Sequence, residues 1–446
     1  MRDYLKVGIS GVRGVVGENF TPQLATSFAR AFGTYVGIGS VVVGRDTRLS
    51  GDMVERAVVA GLQSAGCKPI LAGIVPTPTL LMMTRKLGAR GGIAITASHN
   101  PAQWNALKFI GDRGTFLSPN QADELYDIYH QGEFRSVPEQ EILEPRIPED
   151  PMGAHFQAVL DYVDADAIRN AGFKVAVDCC NGVGALHTER FIESLGCSFV
   201  ACGDTVTGDF DREPEPLPEN LGTLCELVRS RKCAVGFAQD PDGDRLAIVD
   251  ETGTPIGEDM TVTLATQQVL DAHEKGPVVV HMSTSRTVRV VAESRGCDTH
   301  FSRIGEINVT DMMLDVGAVV GGESNGGVIV PAVHPCRDSY TGMALILELL
   351  ASTGRSVSAL RGELPALTVV KDKIRISSDG GVRALRAIRR RYENEKPDLR
   401  DGVLVDFGDA WFHARLSNTE PVLRITAEAE DGKRAADLVE EVRSIL

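Results

Sequence analysis

Apolar positions in the first 110 residues alternate between the period of a helix and that of a buried strand. Large apolar residues recur at every fourth position from 24 to 36, after a Thr21-Pro22 pair that is typical of a helix start. Apolar runs predict strands at residues 41–43, 68–75 and 92–96, with helices at about 51–65 and 77–87. Strands that alternate with helices indicate a parallel sheet with crossover helices.

The same order of strand, polar loop and helix begins twice more. A strand at 173–178 leads through a glycine turn into a helix at 185–195, and a strand at 277–281 leads through a polar loop into another helix. Three such openings at roughly hundred-residue spacing predict a repeated α/β unit.

The C-terminal part of the chain breaks this repeat and predicts an α+β domain of its own. Its strands are expected at 373–376, 403–407 and 411–415, and its helices near 381–393 and 433–445. Two segments, 137–152 with four prolines and 355–366, are interpreted as linkers.

The composition is that of a globular protein and argues against a membrane-spanning or nucleic-acid-binding one. The 446 residues are 43% hydrophobic and 24% charged, as in ordinary globular proteins, and no apolar run approaches the roughly 20 residues that span a bilayer. The formal net charge of -15 argues against nucleic acid or anionic membrane as a partner. The nine cysteines form no C-x-x-C pair, so we expect reduced, mostly buried thiols. Because the chain has no membrane-spanning run and residues 1–20 lack a signal-type apolar core, the expected location is the cytoplasm.

An acidic loop carries the sharpest local signal. Asp240, Asp242 and Asp244 alternate between two predicted strands, and clustered carboxylates are costly unless a divalent cation neutralises them. A calcium loop of the EF-hand kind requires glycine at its sixth position, where this chain has Arg245. The sequence predicts a metal site here, with a plain acidic turn as the alternative.

A second polar loop, Thr96-Ala-Ser98-His99-Asn-Pro101, follows the end of a predicted parallel strand, where sites of open α/β sheets lie. A serine-hydrolase interpretation lacks the G-x-S-x-G signature. We interpret Ser98 as an oxygen that carries a phosphoryl group, with Lys108 and a divalent cation neutralising its charge. The alternative is a Ser/Asn cap with a prolyl turn.

Two further loops carry side chains that suit ligand binding. The segment from Arg415 to Arg424 places two guanidinium groups around short polar residues, a pattern that suits a phosphate but also an exposed turn with Arg–Glu pairs. The loop at 321–327 carries Glu323 and Asn325, which suit sugar hydroxyls, although a plain glycine hairpin has the same composition.

The four loops, in this order and spacing, resemble those of the α-D-phosphohexomutase superfamily from end to end, together with a Gly8-to-Gly14 segment like the family's N-terminal G-x-R-G. The Gly-Gly-Glu-x-Asn-Gly-Gly form and His334-Pro-x-Arg-Asp most resemble the archaeal-type phosphoglucosamine mutase branch. The resemblance implies three related mixed α/β domains and a C-terminal α+β domain like the TATA-binding protein, around a central cleft. The implied boundaries are 1–146, 147–250, 251–365 and 366–446.

The resemblance also implies residue roles. It implies that Ser98 is phosphorylated in the resting enzyme and that its oxygen, with Asp240, Asp242 and Asp244, holds Mg²⁺. The groups implied to steady the phosphoryl group and assist proton transfer are Arg13, His99, Lys108 and Arg245. Those implied to bind sugar hydroxyls are Glu323, Ser324 and Asn325, and those implied to bind the other phosphate are Arg415, Ser417, Asn418, Thr419 and Arg424.

The implied activity is intramolecular phosphate transfer between C6 and C1 of a hexose, an isomerase reaction with a hexose 1,6-bisphosphate as intermediate and activator. Glucosamine phosphate is the best-matched substrate, with mannose or glucose phosphate, then a sugar phosphatase and a non-catalytic sensor, as alternatives. Many members have a histidine where this chain has Gly327, and His334 is either its replacement or an ordinary surface histidine. The sequence leaves the preferred sugar and the oligomeric state open.

Overall fold

The structure is a computed structural model that describes residues 5–8, 11–417 and 422–446. The described residues form two compact units. One contains the residues up to Thr261 together with Asn325–Ser358, and the other contains Val262–Ser324 and Ala359–Leu446.

The N-terminal part of the first unit is a six-stranded sheet with helices. Its elements are β1 Lys6–Gly8, β2 Gly11–Val15, α1 Pro22–Val36, β3 Gly39–Arg45, α2 Gly51–Ser64, β4 Cys67–Ile74, α3 Thr77–Lys86, β5 Gly91–Ile95, β6 Trp104–Gly111 and α4 Pro119–Gln131. The strand order is β1-β2-β6-β5-β3-β4. The predicted strands β3, β4 and β5 are parallel, but β6 is antiparallel to both β5 and β2. The sheet is therefore mixed, and the prediction of a parallel sheet holds only for its β5-β3-β4 half.

The predicted apolar face of α1 packs into the core of this part. Thr21 Oγ1 accepts from the Leu24 amide at 3.2 Å and begins the helix. Phe28 and Phe32 are fully buried, with their rings 6.2 and 5.1 Å from that of Phe109 on β6. Because apolar residues recur at every fourth position, they form one face of α1, and this face packs against the sheet.

The next part of the first unit repeats strand and helix. Its elements are α5 Pro151–Tyr162, α6 Ala165–Ala171, β7 Lys174–Asp178, α7 Gly184–Ser194, β8 Ser198–Cys202, α8 Gly222–Arg231, β9 Val235–Gln239 and β10 Leu246–Val249. β7 is parallel to β8 and β9, whereas β9 and β10 form an antiparallel hairpin with Gln239 opposite Leu246. The acidic loop is the turn of this hairpin.

The third predicted opening lies in the following elements: α9 Glu258–Gln268, β11 Val278–His281, α10 Thr287–Glu293, β12 Thr299–Ser302, α11 Glu306–Val316, β13 Val320–Glu323, β14 Gly327–Val330, β15 His334–Arg337, α12 Ser339–Thr353 and α13 Val357–Glu363. In the second unit, β11 is parallel to β12 and β13. In the first unit, β14 and β15 are antiparallel.

The C-terminal elements are β16 Thr368–Arg375, α14 Ser378–Arg391, β17 Val403–Asp406, β18 Ala410–Leu416, β19 Val422–Ala429 and α15 Gly432–Arg443. The strands form an antiparallel sheet in the order β16-β19-β18-β17. The predicted α+β character is confirmed, but the sequence analysis identified only the end of β16 and did not identify β19. Both predicted linkers include helix: α5 begins at Pro151, and α13 lies within 355–366.

Within the described ranges, no single helix has the length and apolar character needed to cross a bilayer. None of the cysteines among the described residues forms a disulfide, and all are buried except Cys202, which is half-buried. This confirms the sequence-based expectation for the thiols.

Candidate functional site

Ser98 lies in the loop that follows β5, at the carboxyl end of the parallel strands. Its side chain is buried and its φ of 49° is in the left-handed region, which L-amino acids rarely adopt. Its Oγ donates to Asp240 Oδ2 at 2.9 Å and lies 3.4 Å from His99 Nδ1. The loop therefore presents the serine directly to the acidic turn.

Arg48, which sequence reasoning missed, holds this loop. Its Nη1 donates to the carbonyls of Pro101 and Trp104, and its Nη2 to those of Ser98 and Asn100, at 2.7–3.1 Å. A single buried guanidinium thus satisfies four carbonyl groups of one turn.

The charge of Arg48 is balanced by Asp46. Asp46 Oδ2 accepts from Arg48 Nε at 2.9 Å and from Thr96 Oγ1 at 2.7 Å. Thr96 Oγ1 in turn accepts the Ser98 amide at 2.9 Å, which closes the network on the serine. The sequence showed Asp46 and Arg48 only as part of a charged loop, 44–48, after a predicted strand, and nothing in it indicated that they hold the serine loop.

The acidic turn has the chemistry of a metal site. Carboxylate oxygens of Asp240, Asp242 and Asp244 lie within 4.8 Å of one another, and all three side chains are buried. Among the residues described, Asp242 Oδ1 and Asp244 Oδ1 have no hydrogen-bond partner. Burial, with the other two carboxylates, raises the pKa of Asp240 well above its usual range. Buried carboxylate oxygens that have no hydrogen-bond partner suit a hard divalent cation, so this group can hold a metal ion.

Lys108 on β6 joins the cluster through Asp242. Its Nζ donates to Asp242 Oδ2 at 2.8 Å, and Thr77 Oγ1 donates to the same oxygen at 2.7 Å. Burial alone would raise the pKa of Asp242, but the Lys108 ammonium, together with hydrogen bonds to Asp240 and Thr77, holds that pKa below its usual range. Thr77, at the start of α3, is a second contact that the sequence analysis missed.

Three more predicted residues lie around this cluster. Arg13 on β2 donates to the side chain of Asn100, and burial lowers its pKa to about 10. Arg245 donates to Glu215 at 2.8 Å, with its Nε 4.0 Å from Asp240 Oδ2. Burial, with Arg245 and Arg13 nearby, holds the pKa of His99 well below its usual range. Ser98, the three aspartates and the four predicted basic residues are thus brought together in the first unit.

The predicted sugar-binding residues Glu323 and Ser324 are buried in the second unit. Glu323 Oε1 accepts the Gly305 amide at 3.2 Å, and the amide of Ser324 donates to His281 Nε2 at 3.1 Å. The third, Asn325, belongs to the first unit, where its Oδ1 accepts the Gly327 amide at 3.2 Å. The loop side chains are therefore held by specific contacts.

His334 is not the surface histidine that the sequence allowed. It is buried and donates from Nε2 to the Gly114 carbonyl at 2.7 Å. An imidazole does contact the 321–327 loop, but it is that of His281 at the end of β11. His281 lies on β11, the strand next to β13, and nothing in the sequence indicated that it would contact this loop.

The predicted phosphate-binding residues of the second unit lie at one end of the C-terminal sheet. Arg415 on β18 is opposite Arg424 on β19, and Arg415 Nε lies 3.5 Å from Asp401 Oδ2. Ser417 donates its amide to the Val422 carbonyl at 3.0 Å. Asn418 and Thr419 lie outside the described residues.

Four family models match successive parts of the chain. They are the phosphoglucomutase/phosphomannomutase α/β/α domain I at residues 5–136, domain II at 154–253, domain III at 257–367 and the C-terminal domain at 363–445.

Individual proteins match over nearly the whole chain. A Methanopyrus kandleri protein named "Probable phosphoglucosamine mutase" is 36% identical over 98% of this chain and 97% of its own. A Thermococcus kodakarensis protein named "Phosphoglucomutase/phosphomannomutase" is 35% identical over 97% of this chain and 96% of its own. The crystal structure of a phosphoglucomutase/phosphomannomutase family protein from Burkholderia thailandensis superposes with a TM-score of 0.86 at 26% identity, covering 100% of this chain and 98% of that one.

Proposed function

Because this chain belongs to the phosphoglucomutase/phosphomannomutase family, we propose that it interconverts hexose 6-phosphate and hexose 1-phosphate through a phosphoserine at Ser98. The enzyme is a phosphohexomutase, an isomerase that acts by phosphotransfer. The observation that carries the proposal for Ser98 is its 2.9 Å hydrogen bond to Asp240, within a turn whose other carboxylates have unpartnered oxygens.

We propose Mg²⁺ as the metal, held by Asp240, Asp242, Asp244 and the Ser98 oxygen. When bound, it supplies positive charge that offsets the negative charge of the phosphoryl oxygens. The three aspartates offer only oxygen ligands, which is the donor type that Mg²⁺ prefers.

In the first half-reaction, the free hydroxyl oxygen of the hexose monophosphate bonds to the phosphorus of phosphoserine. The bond between phosphorus and Ser98 Oγ breaks, and the hydroxyl proton passes to a basic group of the site. The groups proposed to stabilise the phosphoryl oxygens and assist this proton transfer are His99, which lies beside Ser98, Arg13, which binds the serine loop, and Lys108 and Arg245, which lie at the acidic turn.

In the second half-reaction, the bisphosphorylated hexose is bound in the opposite orientation, and Ser98 Oγ bonds to the phosphorus of its other phosphate. The bond between that phosphorus and the sugar oxygen breaks, and the Ser98 proton passes through the basic groups of the site to the sugar oxygen. The two arginines Arg415 and Arg424 are proposed to hold the phosphate that is not transferred, since paired guanidinium donors match oxyanions. The proposed supporting groups are Ser417, Asn418 and Thr419 for this phosphate, and Glu323, Ser324 and Asn325 for the sugar hydroxyls. Hexose 1,6-bisphosphate is then the activator that rephosphorylates an enzyme that has lost its phosphate.

We propose glucosamine phosphate as the preferred substrate, supported by the name of the 36% identical Methanopyrus kandleri relative. The Thermococcus kodakarensis relative supports glucose and mannose phosphates as the second candidate.

The test is a coupled assay of the purified chain with glucosamine, glucose and mannose 6-phosphates, Mg²⁺ and a trace of the matching bisphosphate. We expect fastest turnover with the amino sugar and negligible release of inorganic phosphate. Intact mass before and after phosphatase treatment should show one phosphate, and Ser98→Ala should abolish both this phosphate and net isomerisation. Stoichiometric release of inorganic phosphate would instead indicate a phosphatase, and binding without turnover a sensor.

A further inference from the structure

Arg337, at the end of β15, contacts the acidic turn. Its side chain is buried, and its Nη2 lies 2.5 Å from Asp244 Oδ2. Asp244 Oδ1, the other oxygen of the same carboxylate, has no hydrogen-bond partner among the described residues. The guanidinium therefore fixes one carboxylate oxygen and leaves the second for another ligand.

Arg245 is the other arginine close to Asp244, but it is placed less well to orient it. Its Nε lies 3.9 Å from Asp244 Oδ1, beyond hydrogen-bond distance, and its Nη1 donates to Glu215 at 2.8 Å. Arg337 is thus the better placed of the two to set the orientation of the Asp244 carboxylate.

The path of the Arg337 side chain depends on Gly327. A Cβ at position 327 would lie 2.2 Å from Arg337 Cδ and 2.8 Å from its Cγ, well inside van der Waals contact. The φ of Gly327 is outside the left-handed region, so the backbone would accept other residues. Glycine is required here for space, because the arginine crosses the position where a side chain would begin.

We infer that Arg337 is a positioning residue that orients the metal ligand Asp244, and that Gly327 is present to let it reach that carboxylate. The inference rests on the proposed function, which makes Asp244 a metal ligand. It also accounts for the absence of a histidine at position 327: any side chain there would displace Arg337 from the acidic turn.

The first test measures Mn²⁺ binding to the phosphatase-treated enzyme by electron paramagnetic resonance, with no sugar present. We expect Arg337→Ala to weaken Mn²⁺ binding at least about tenfold, since hydrogen bonds to metal ligands typically contribute this much. Arg337→Lys should recover part of the affinity. If Arg337 acted only through its positive charge, which repels a metal ion, its removal would tighten Mn²⁺ binding. Unchanged or tighter binding would therefore overturn the inference.

The second test uses Gly327. Gly327→Ala should weaken Mn²⁺ binding about as much as Arg337→Ala does, because the new methyl group displaces the arginine. In the Arg337→Ala background the same substitution should have little further effect, which a double-mutant cycle detects. Additive losses would show that the two positions act independently and would contradict the inference. Should Arg337→Ala not fold, Gly327→Ala and Arg337→Lys test the same contact.

Matched controls are Arg169→Met, an arginine in an exposed pair with Asp166, and Gly222→Ala, whose added Cβ meets nothing within 4 Å. Both should bind Mn²⁺ like the wild type. In turnover, the Arg337 variants should lose kcat with little change in KM for the hexose phosphate. A wild type without Mn²⁺ binding or mutase activity would refute the proposed function itself, whereas a normal wild type with unaffected variants would refute only this inference.

Discussion

Ser98 has a backbone conformation that costs roughly 1–2 kcal/mol for a residue with a side chain. Arg48 offsets this cost, since it gathers the carbonyls of Ser98, Asn100 and two later residues while its Nε binds Asp46. The serine is therefore oriented before any ligand arrives.

Arg48→Met should remove this support and leave the buried carboxylate of Asp46 unpaired. We expect the free energy of unfolding to fall by about 3–5 kcal/mol, the usual consequence of breaking a buried ion pair. Arg48→Lys keeps the charge but offers three donors in place of five, so kcat and phosphoserine content should fall even where the variant is folded. Urea unfolding measures the free energy of unfolding, steady-state kinetics measure kcat, and intact mass measures the phosphoserine content.

The control for Arg48 is Arg56→Met, which breaks an exposed pair with Asp52 on α2 and should cost less than about 1 kcal/mol. An Arg48→Lys enzyme with wild-type kcat and full phosphorylation would contradict the assigned role.

Residues that act through near neighbours in the chain were predictable, and those that act across it were not. The three aspartates alternate within five positions, so the close approach of their carboxylates follows from a single turn. Arg48 and Ser98 are 50 positions apart, and Arg337 is 93 from Asp244. No local pattern distinguishes such arginines from those that face solvent.

At the scale of elements, β2 and β6 carry two of the site's cations. β6 places Lys108 beside the acidic turn, and β2 pairs with β6 so that Arg13 is opposite Ala106. The sequence analysis expected parallel strands and recognised neither strand, because β2 is short and glycine-rich and β6 mixes polar with apolar residues. β6 is buried along most of its length yet includes the polar Asn105 and Lys108, so neither alternation nor a continuous apolar run marks it as a strand.

Gly11, at the start of β2, makes this pairing possible. Its φ is +96°, and a Cβ there would lie 2.0 Å from the Leu107 carbonyl oxygen on β6. Gly11→Ala should therefore separate the strands, displace Arg13, lower the melting temperature and reduce kcat/KM at least about tenfold, a loss of roughly 1.4 kcal/mol in transition-state stabilisation.

The matched control is Gly8→Ala on β1, because a Cβ at Gly8 meets nothing within 4 Å. Thermal melts and steady-state kinetics compare the two variants. Equal effects at both glycines would contradict a specific requirement at β2.

At the scale of the whole molecule, the sequence predicted the repeated α/β architecture better than it predicted the linkers between the repeats. The apolar and polar periods indicated the α/β repeats and the different C-terminal domain. The proline-rich segment 137–152 nevertheless ends in α5, because Asp150 accepts the Gly153 amide at 2.9 Å and Pro151 occupies the first helical position. Proline is common both at the first position of a helix and in linkers, and only the capping contact distinguishes these two cases.

The first unit is held together by a buried polar chain that joins segments of all three α/β domain families. Thr79 Oγ1 lies 2.7 Å from His155 Nδ1, and His155 Nε2 lies 2.9 Å from Asp338, which caps α12. These residues belong to the segments matched by domains I, II and III, respectively. We therefore expect these segments to unfold as one cooperative unit.

His155→Phe keeps the ring volume but removes both hydrogen bonds, so we expect the first unit to lose about 2–3 kcal/mol of stability. Hydrogen–deuterium exchange should become faster in α3, α5 and α12 together, while β16 to β19 of the second unit keep their protection. Arg56→Ala, which breaks an exposed pair with Asp52, is the control and should change exchange only near α2. Faster exchange confined to α5 would show that the three segments unfold separately, and equal acceleration in the second unit would show that the molecule unfolds as a whole.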